Sequence, residues 1–138
     1  MNNMKNIGFI GIGLMGFPMA KNIVKSGYNL KAYNRSQCKA DKLKEFGAEI
    51  SVSIKDVVTN SDVVITMLTD DAAVDKVMSS DEFVSNIKKG ATVIDMSSVN
   101  PVLTIKCSKK LNEKKINYLD APVSGGTIGA EEATLAIM

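Results

Sequence analysis

Apolar residues in this chain follow two alternating rhythms. Short, nearly continuous apolar runs separate longer stretches whose apolar positions recur at helical spacing. The first run, over residues 5–10, predicts a strand. Behind it, Met19/Ile23 and Ala20/Val24 pair at i,i+4 while Lys21, Asn22, Lys25 and Ser26 take the other face. This predicts a helix that tolerates Pro18 in its first turn and stops at Gly27. Further strands are expected over residues 29–33, 49–50, 62–68, 91–95 and 117–120. Helices are expected over residues 37–46, from Ser53, over 72–78 and 82–87, and from Pro101 to before Ile116. The run over 62–68 is almost wholly apolar, as a parallel strand buried on both faces requires. Strands alternating with helices predict an α/β fold with a doubly wound, mostly parallel sheet. Residues 134–138 also read as a strand, in which the chain stops without a turn, cap or polar tail. The 138 residues are therefore expected to be one domain, the amino-terminal part of a longer protein.

The join between the first strand and the first helix carries the chemistry. Gly11-Ile12-Gly13-Leu14-Met15-Gly16 is a G-x-G-x-x-G sequence in the strand-turn-helix context that gives the motif meaning. Gly11 permits the tight turn, Gly13 lets backbone approach a pyrophosphate, and Gly16 lets helix and strand pack closely. The free amides and positive dipole end of the helix then face the phosphates. A Rossmann-like, dinucleotide-binding fold is the expectation.

In such folds an acidic residue about 20 positions past the glycines accepts hydrogen bonds from the adenosine ribose. Here that place holds Asn34, followed by Arg35 and Ser36. A neutral amide with a guanidinium behind it suits a 2′-phosphate, which a carboxylate would repel. NADP(H) is accordingly favoured over NAD(H). The same residues also suit plainer roles, Arg35 as a solvated cation and Ser36 as a helix cap. Asp70-Asp71 read as dipole-favoured caps rather than as a metal or acid/base pair.

Composition narrows the field further. A net charge of +2 points to no nucleic-acid partner, and apolar stretches of fewer than ten residues span no membrane. Residues 1–5 lack the apolar core of a signal peptide. Cys38 and Cys107 form no C-x-x-C pair, so no metal site is expected and two free thiols suit a reducing, cytoplasmic setting. With no histidine, proton transfer would need Lys, Asp, Glu, Tyr, Cys or water.

Four stretches together resemble the β-hydroxyacid dehydrogenases, the group of 3-hydroxyisobutyrate dehydrogenase and tartronate semialdehyde reductase. They are GFIGIGLMGFPMA (residues 8–20), ITML (65–68), IDMSSVNP (94–101) and DAPVSGGTIGAEEATLAIM (120–138). The resemblance implies that Ser124, Gly125 and Gly126 hold a small substrate carboxylate, which a hydroxyl and exposed amides can do. A Gly-Gly turn after a strand is the alternative reading of that loop. It implies that Met67 and Leu68 pass the cofactor and that Ser98 lies near the nicotinamide, where a helix-entry hydroxyl is the plain alternative. It further implies a second, all-helical domain, absent here, which carries the proton-donating lysine and most homo-oligomer contacts. No residue of this chain matches that lysine, so no catalytic residue is assigned and cofactor binding without turnover is expected. A non-catalytic dinucleotide-binding module, or a partly folded piece, are the competing readings. Ala133 departs from the family's usual glycine, and would cost about 1 kcal/mol if its φ is positive.

Overall fold

A computed structural model describes residues 5–138; the amino-terminal reading over residues 1–4 lies outside them. Among the described residues, eight strands and seven α-helices follow one another in the expected order, with a short strand at Val123–Ser124 and a helix at Gly126–Glu132 as additions. They are β1 (Asn6–Ile10), α1 (Gly16–Lys25), β2 (Asn29–Tyr33), α2 (Gln37–Asp41), β3 (Glu49–Ile50), α3 (Ile54–Val58), β4 (Val63–Thr66) and α4 (Asp71–Met78). After these come α5 (Asp81–Val84), β5 (Thr92–Asp95), α6 (Pro101–Glu113), β6 (Asn117–Asp120), β7 (Val123–Ser124), α7 (Gly126–Glu132) and β8 (Ala136–Ile137). Six strands form one parallel sheet in the order β3-β2-β1-β4-β5-β6. The order reverses between β1 and β4, and the carboxyl-end crevice at such a reversal is where ligands bind in open α/β sheets.

Both faces of the sheet are covered over its central strands, which explains their apolar residues, while β6 at the edge is mostly exposed. Met19, Ala20, Ala40, Leu43 and Ala130, from α1, α2, the following turn and α7, pack on Ile7, Phe9, Leu30, Ala32 and Ile65. On the other face Val57, Val58, Val74, Met78, Phe83, Cys107 and Leu111 pack on Ile10, Val64 and Val93. Gly8 belongs to this second interface: a Cβ there would fall 2.4 Å from the Val57 carbonyl oxygen. Local signals set the helix starts. Ser53, Asp70, Ser80 and Asn100 accept hydrogen bonds from the backbone amides of Asp56, Ala73, Phe83 and Val102, and Pro101 opens α6.

Four expectations change. The helix over residues 82–87 is confined to Asp81–Val84. The helix over residues 37–46 is an α-helix to Asp41 and a 3-10 helix over Lys42–Phe46, ended by Gly47 at φ 101°. Ala40, Leu43 and Phe46 repeat every three residues, the period of a 3-10 helix. The strand over 62–68 shortens to Val63–Thr66: the Met67 amide still bonds the Ile10 carbonyl, but the Leu68 amide leaves the sheet for the Ser97 hydroxyl. The strand over 134–138 narrows to Ala136–Ile137, antiparallel to β7 in a separate two-stranded ribbon.

Candidate functional site: a dinucleotide cleft

Backbone crowding shapes the glycine turn. Gly11 has φ +103°, its amide donates to the Tyr33 carbonyl at 3.0 Å, and a Cβ on it would meet the Met67 carbonyl oxygen at 2.1 Å. A Cβ at Gly16 would lie 1.8 Å from the Gly11 carbonyl oxygen. Gly13 is the opposite case, since a Cβ there meets nothing within 4 Å. The amides of Gly13, Leu14 and Met15 have no acceptor among the described residues. They stand at the start of a ten-residue helix, so unpaired donors, positive dipole and open space coincide. Leu14 is 85% exposed over that space.

The end of β2 supports this turn. Asn34 Oδ1 accepts from the Ile12 amide at 2.9 Å, and Asn34 Nδ2 donates to the Ser36 carbonyl at 3.0 Å. Asn34 therefore braces the chain as well as standing where the ribose residue is expected. Ser36 takes the N-cap position of α2 without a side-chain cap bond, which leaves its hydroxyl unused. Arg35 is exposed and belongs to no ion pair among the described residues. A groove of about 510 Å³ beside α1 is lined by Ile12, Gly13 and Leu14, by four lysines, Lys21, Lys25, Lys39 and Lys42, and by Glu131. Sequence reading gives none of these lysines a function. Helical periodicity places Lys21 and Lys25 on a solvated face, yet they lie 4.6 and 5.7 Å from the centre of the Phe46 ring.

Beyond the reversal the ends of β4, β5 and β6 are level, because Thr66 is in register with Asp95 and Asp95 with Asp120. A network that sequence reading missed joins them. Thr66 Oγ1 donates to Asp95 Oδ1 at 2.9 Å, and the Ser97 amide donates to the same oxygen at 3.1 Å. Ser97 Oγ in turn accepts from the Leu68 amide at 2.8 Å. Asp95, Thr66 and Ser97 are fully buried. Burial pushes the Asp95 carboxyl above its ordinary pKa, an effect opposed by the bonds from Ser97 and Thr66. Asp95 Oδ2, Thr104 Oγ1 and the Tyr118 hydroxyl oxygen are buried without partners. Ser98 is exposed at the rim.

Ser124, Gly125 and Gly126 follow β6 at the same end of the sheet, exposed, and do not line the lysine groove. Gly125 at φ 140° and Gly126 at φ 63° form the turn from β7 into α7. Asn22 Nδ2 donates to the Ala130 carbonyl at 2.7 Å, which fastens α7 to α1. Among the described residues no group of three His, Cys, Asp or Glu could hold a metal ion. No described helix is long and apolar enough to cross a membrane.

This geometry agrees with known proteins. A family described as the NAD binding domain of 6-phosphogluconate dehydrogenase matches residues 6–138. The mitochondrial 3-hydroxyisobutyrate dehydrogenase of Drosophila melanogaster is 42% identical over 135 residues, covering 97% of this chain and 41% of that protein. The 2-hydroxy-3-oxopropionate reductase of Escherichia coli is 40% identical, covering 96% and 45%. In structure, 3-hydroxyisobutyrate dehydrogenase of Mycobacterium tuberculosis, solved with L-serine, superposes with a TM-score of 0.93 at 31% identity, over 98% of this chain and 46% of that one. Structures of the same fold have been solved with NADP+ and with NAD+. The chain thus spans a little under half the length of these relatives. From the open glycine turn to the level strand ends, it belongs to the family of 6-phosphogluconate dehydrogenase-type NAD-binding domains, and its relatives there are hydroxyacid dehydrogenases and reductases.

Proposed function

We propose that the chain is the cofactor-binding half of an NADP(H)-dependent oxidoreductase of the 3-hydroxyacid dehydrogenase type. The substrate is a small 3-hydroxy acid or its semialdehyde, such as 3-hydroxyisobutyrate or tartronate semialdehyde. The supporting observation is the glycine turn, whose unpaired amides border a space that a single Cβ at Gly13 would enter. Gly11 to Gly16 would hold the pyrophosphate. Arg35 and Ser36, with Lys39 close behind on α2, would hold the 2′-phosphate by charge and hydrogen bonding. Preference for NADP(H) rests on these uncommitted donors beside a neutral Asn34.

Met67, Leu68 and Ser98 would flank the nicotinamide end, and Ser124, Gly125 and Gly126 would take the substrate carboxylate. Bound nicotinamide supplies the hydride. The chain's own part is to fix the dinucleotide and the anion in reacting contact. A proton donor lies outside these residues, so the 138-residue chain alone is expected to bind without turnover. The longer protein would act in the cytoplasm as a homo-oligomer, with no nucleic-acid or membrane partner.

The test is to mix the 138-residue chain, and separately a longer protein carrying it, with NADPH and a panel of semialdehydes. Binding without NADPH consumption by the chain, and consumption by the longer protein, is the expected pair. Turnover by the chain alone contradicts the assignment of the proton donor. A longer protein that binds NADPH yet consumes none would favour a dinucleotide-sensing module.

A further inference from the structure

Asp95 lies at the end of β5, wholly buried, and touches no surface from which it could meet a ligand. Its hydrogen bonds nevertheless reach the lips of the cleft. One oxygen, Oδ1, accepts both the Thr66 hydroxyl on β4 and the Ser97 amide after β5. The Ser97 hydroxyl is then oriented to accept the Leu68 amide. Thr66 and Ser97, from two neighbouring strand ends, thus meet at a single oxygen of Asp95, and Leu68 is tied to them through the Ser97 hydroxyl. The backbone so fixed carries Met67 and Leu68 on one side and Ser98 on the other. Met67 also presents the carbonyl that crowds Gly11, so the same lock bears on the turn.

We propose that Asp95 is a positioning residue for the nicotinamide half of the cleft, acting through Ser97 on the 67–68 loop; this rests on the cofactor reading above. Pyrophosphate at the start of α1 and adenosine beside the end of β2 leave the second nucleoside to lie over β4 and β5, across the strand-order reversal. Loosening residues 67–68 and 97–98 would therefore weaken contacts to that nucleoside and spare the adenosine half. The hydrogen bonds also say which feature of the side chain matters. Asp95→Asn keeps both Oδ1 bonds through its side-chain carbonyl, while its amide nitrogen sets buried N–H donors where Oδ2 makes no bond, a cost to stability and not to the lock. An alanine leaves the Thr66 hydroxyl and the Ser97 amide buried and unpaired.

The test measures the affinity of the 138-residue chain for NADPH and for 2′,5′-ADP, which carries the adenosine half alone, with a thermal melt for every variant. For Asp95→Ala the expectation is about tenfold weaker NADPH binding with 2′,5′-ADP affinity held within about twofold. Asp95→Asn should keep the wild-type ratio of the two affinities even where its melt is lowered. Ser97→Ala removes the acceptor of the Leu68 amide but keeps both bonds to Asp95, and should also lose NADPH affinity selectively. It decides the matter if Asp95→Ala fails to fold. Equal loss of both ligands in folded variants, or no loss in Ser97→Ala, overturns the positioning role. Failure of the wild-type chain to bind NADPH would instead overturn the cofactor reading itself.

Discussion

The side-chain carbonyl of Asn34 accepts the Ile12 amide at 2.9 Å and so ties the end of β2 to the glycine turn across 22 residues of sequence. Its amide end is also engaged, with the Ser36 carbonyl. Asn34→Asp keeps the acceptor for Ile12 but sets a carboxylate oxygen against the Ser36 carbonyl and close to the expected 2′-phosphate. The expected outcome is about tenfold weaker NADPH binding with a smaller effect on NADH. Titration of both cofactors against the variant checks it. An unchanged NADPH affinity would separate Asn34 from cofactor choice.

Two glycines of one motif should fail in opposite ways. Gly16→Ala drives a methyl into the Gly11 carbonyl, a backbone atom that cannot swing aside, and should cost about 3 kcal/mol or more of stability. Gly13→Ala meets no protein atom, so its melt should match the wild type while dinucleotide affinity falls. Thermal melts paired with NADPH titrations separate the two. A stable Gly13→Ala chain that binds normally would mean that the pyrophosphate does not lie there.

Ala133 ends α7 in the left-handed region, at φ 57° and ψ 39°. The strain expected for an alanine in place of the family's glycine is therefore present. Glycine removes a Cβ clash of about 1–2 kcal/mol and gives back part of that in unfolded-chain entropy. Ala133→Gly should raise stability by about 0.5–1 kcal/mol in a denaturant titration. A lower midpoint would show that the methyl makes a contact worth more than its strain.

Acid should release one particular tie. Asp62 accepts hydrogen bonds from the Lys88 ammonium and from the Asn6 amide, and the Lys88 bond leads the causes holding its pKa below the ordinary value of 3.8. A carboxyl whose pKa is lower folded than unfolded stabilises above the unfolded pKa and loses that contribution as pH falls through the folded one. At neutral pH Asp62→Asn should be less stable by about 1 kcal/mol, the bonds being partly exposed. The gap should close at a pH below 3.8. A gap that persists there would assign the loss to packing.

How far the sequence speaks for the structure depends on the distance over which each feature is decided. The caps at Ser53, Asp70 and Asn100 are settled within four residues and are legible, as is β6 over Asn117–Asp120. The two-residue strands β7 and β8 are too short to show any period, and their pairing across residues 123–137 is a tertiary choice. Taken locally, Asp95 is only the polar end of an apolar strand. Its role needs the register that brings Thr66 beside it from β4, which no local pattern encodes. Lys39 and Lys42 are ordinary surface charge along the sequence, until the fold gathers them into one groove with Lys21 and Lys25.

Calorimetric titration of the 138-residue chain with NADPH and, separately, NADH bears on all of this at once. Micromolar binding with NADPH preferred, and that preference lost in Arg35→Ala, is the expected result. Equal or tighter NADH binding would contradict the roles given to Asn34 and Arg35 while leaving the cleft intact. No binding of either cofactor by a cooperatively folded chain would contradict the dinucleotide cleft itself.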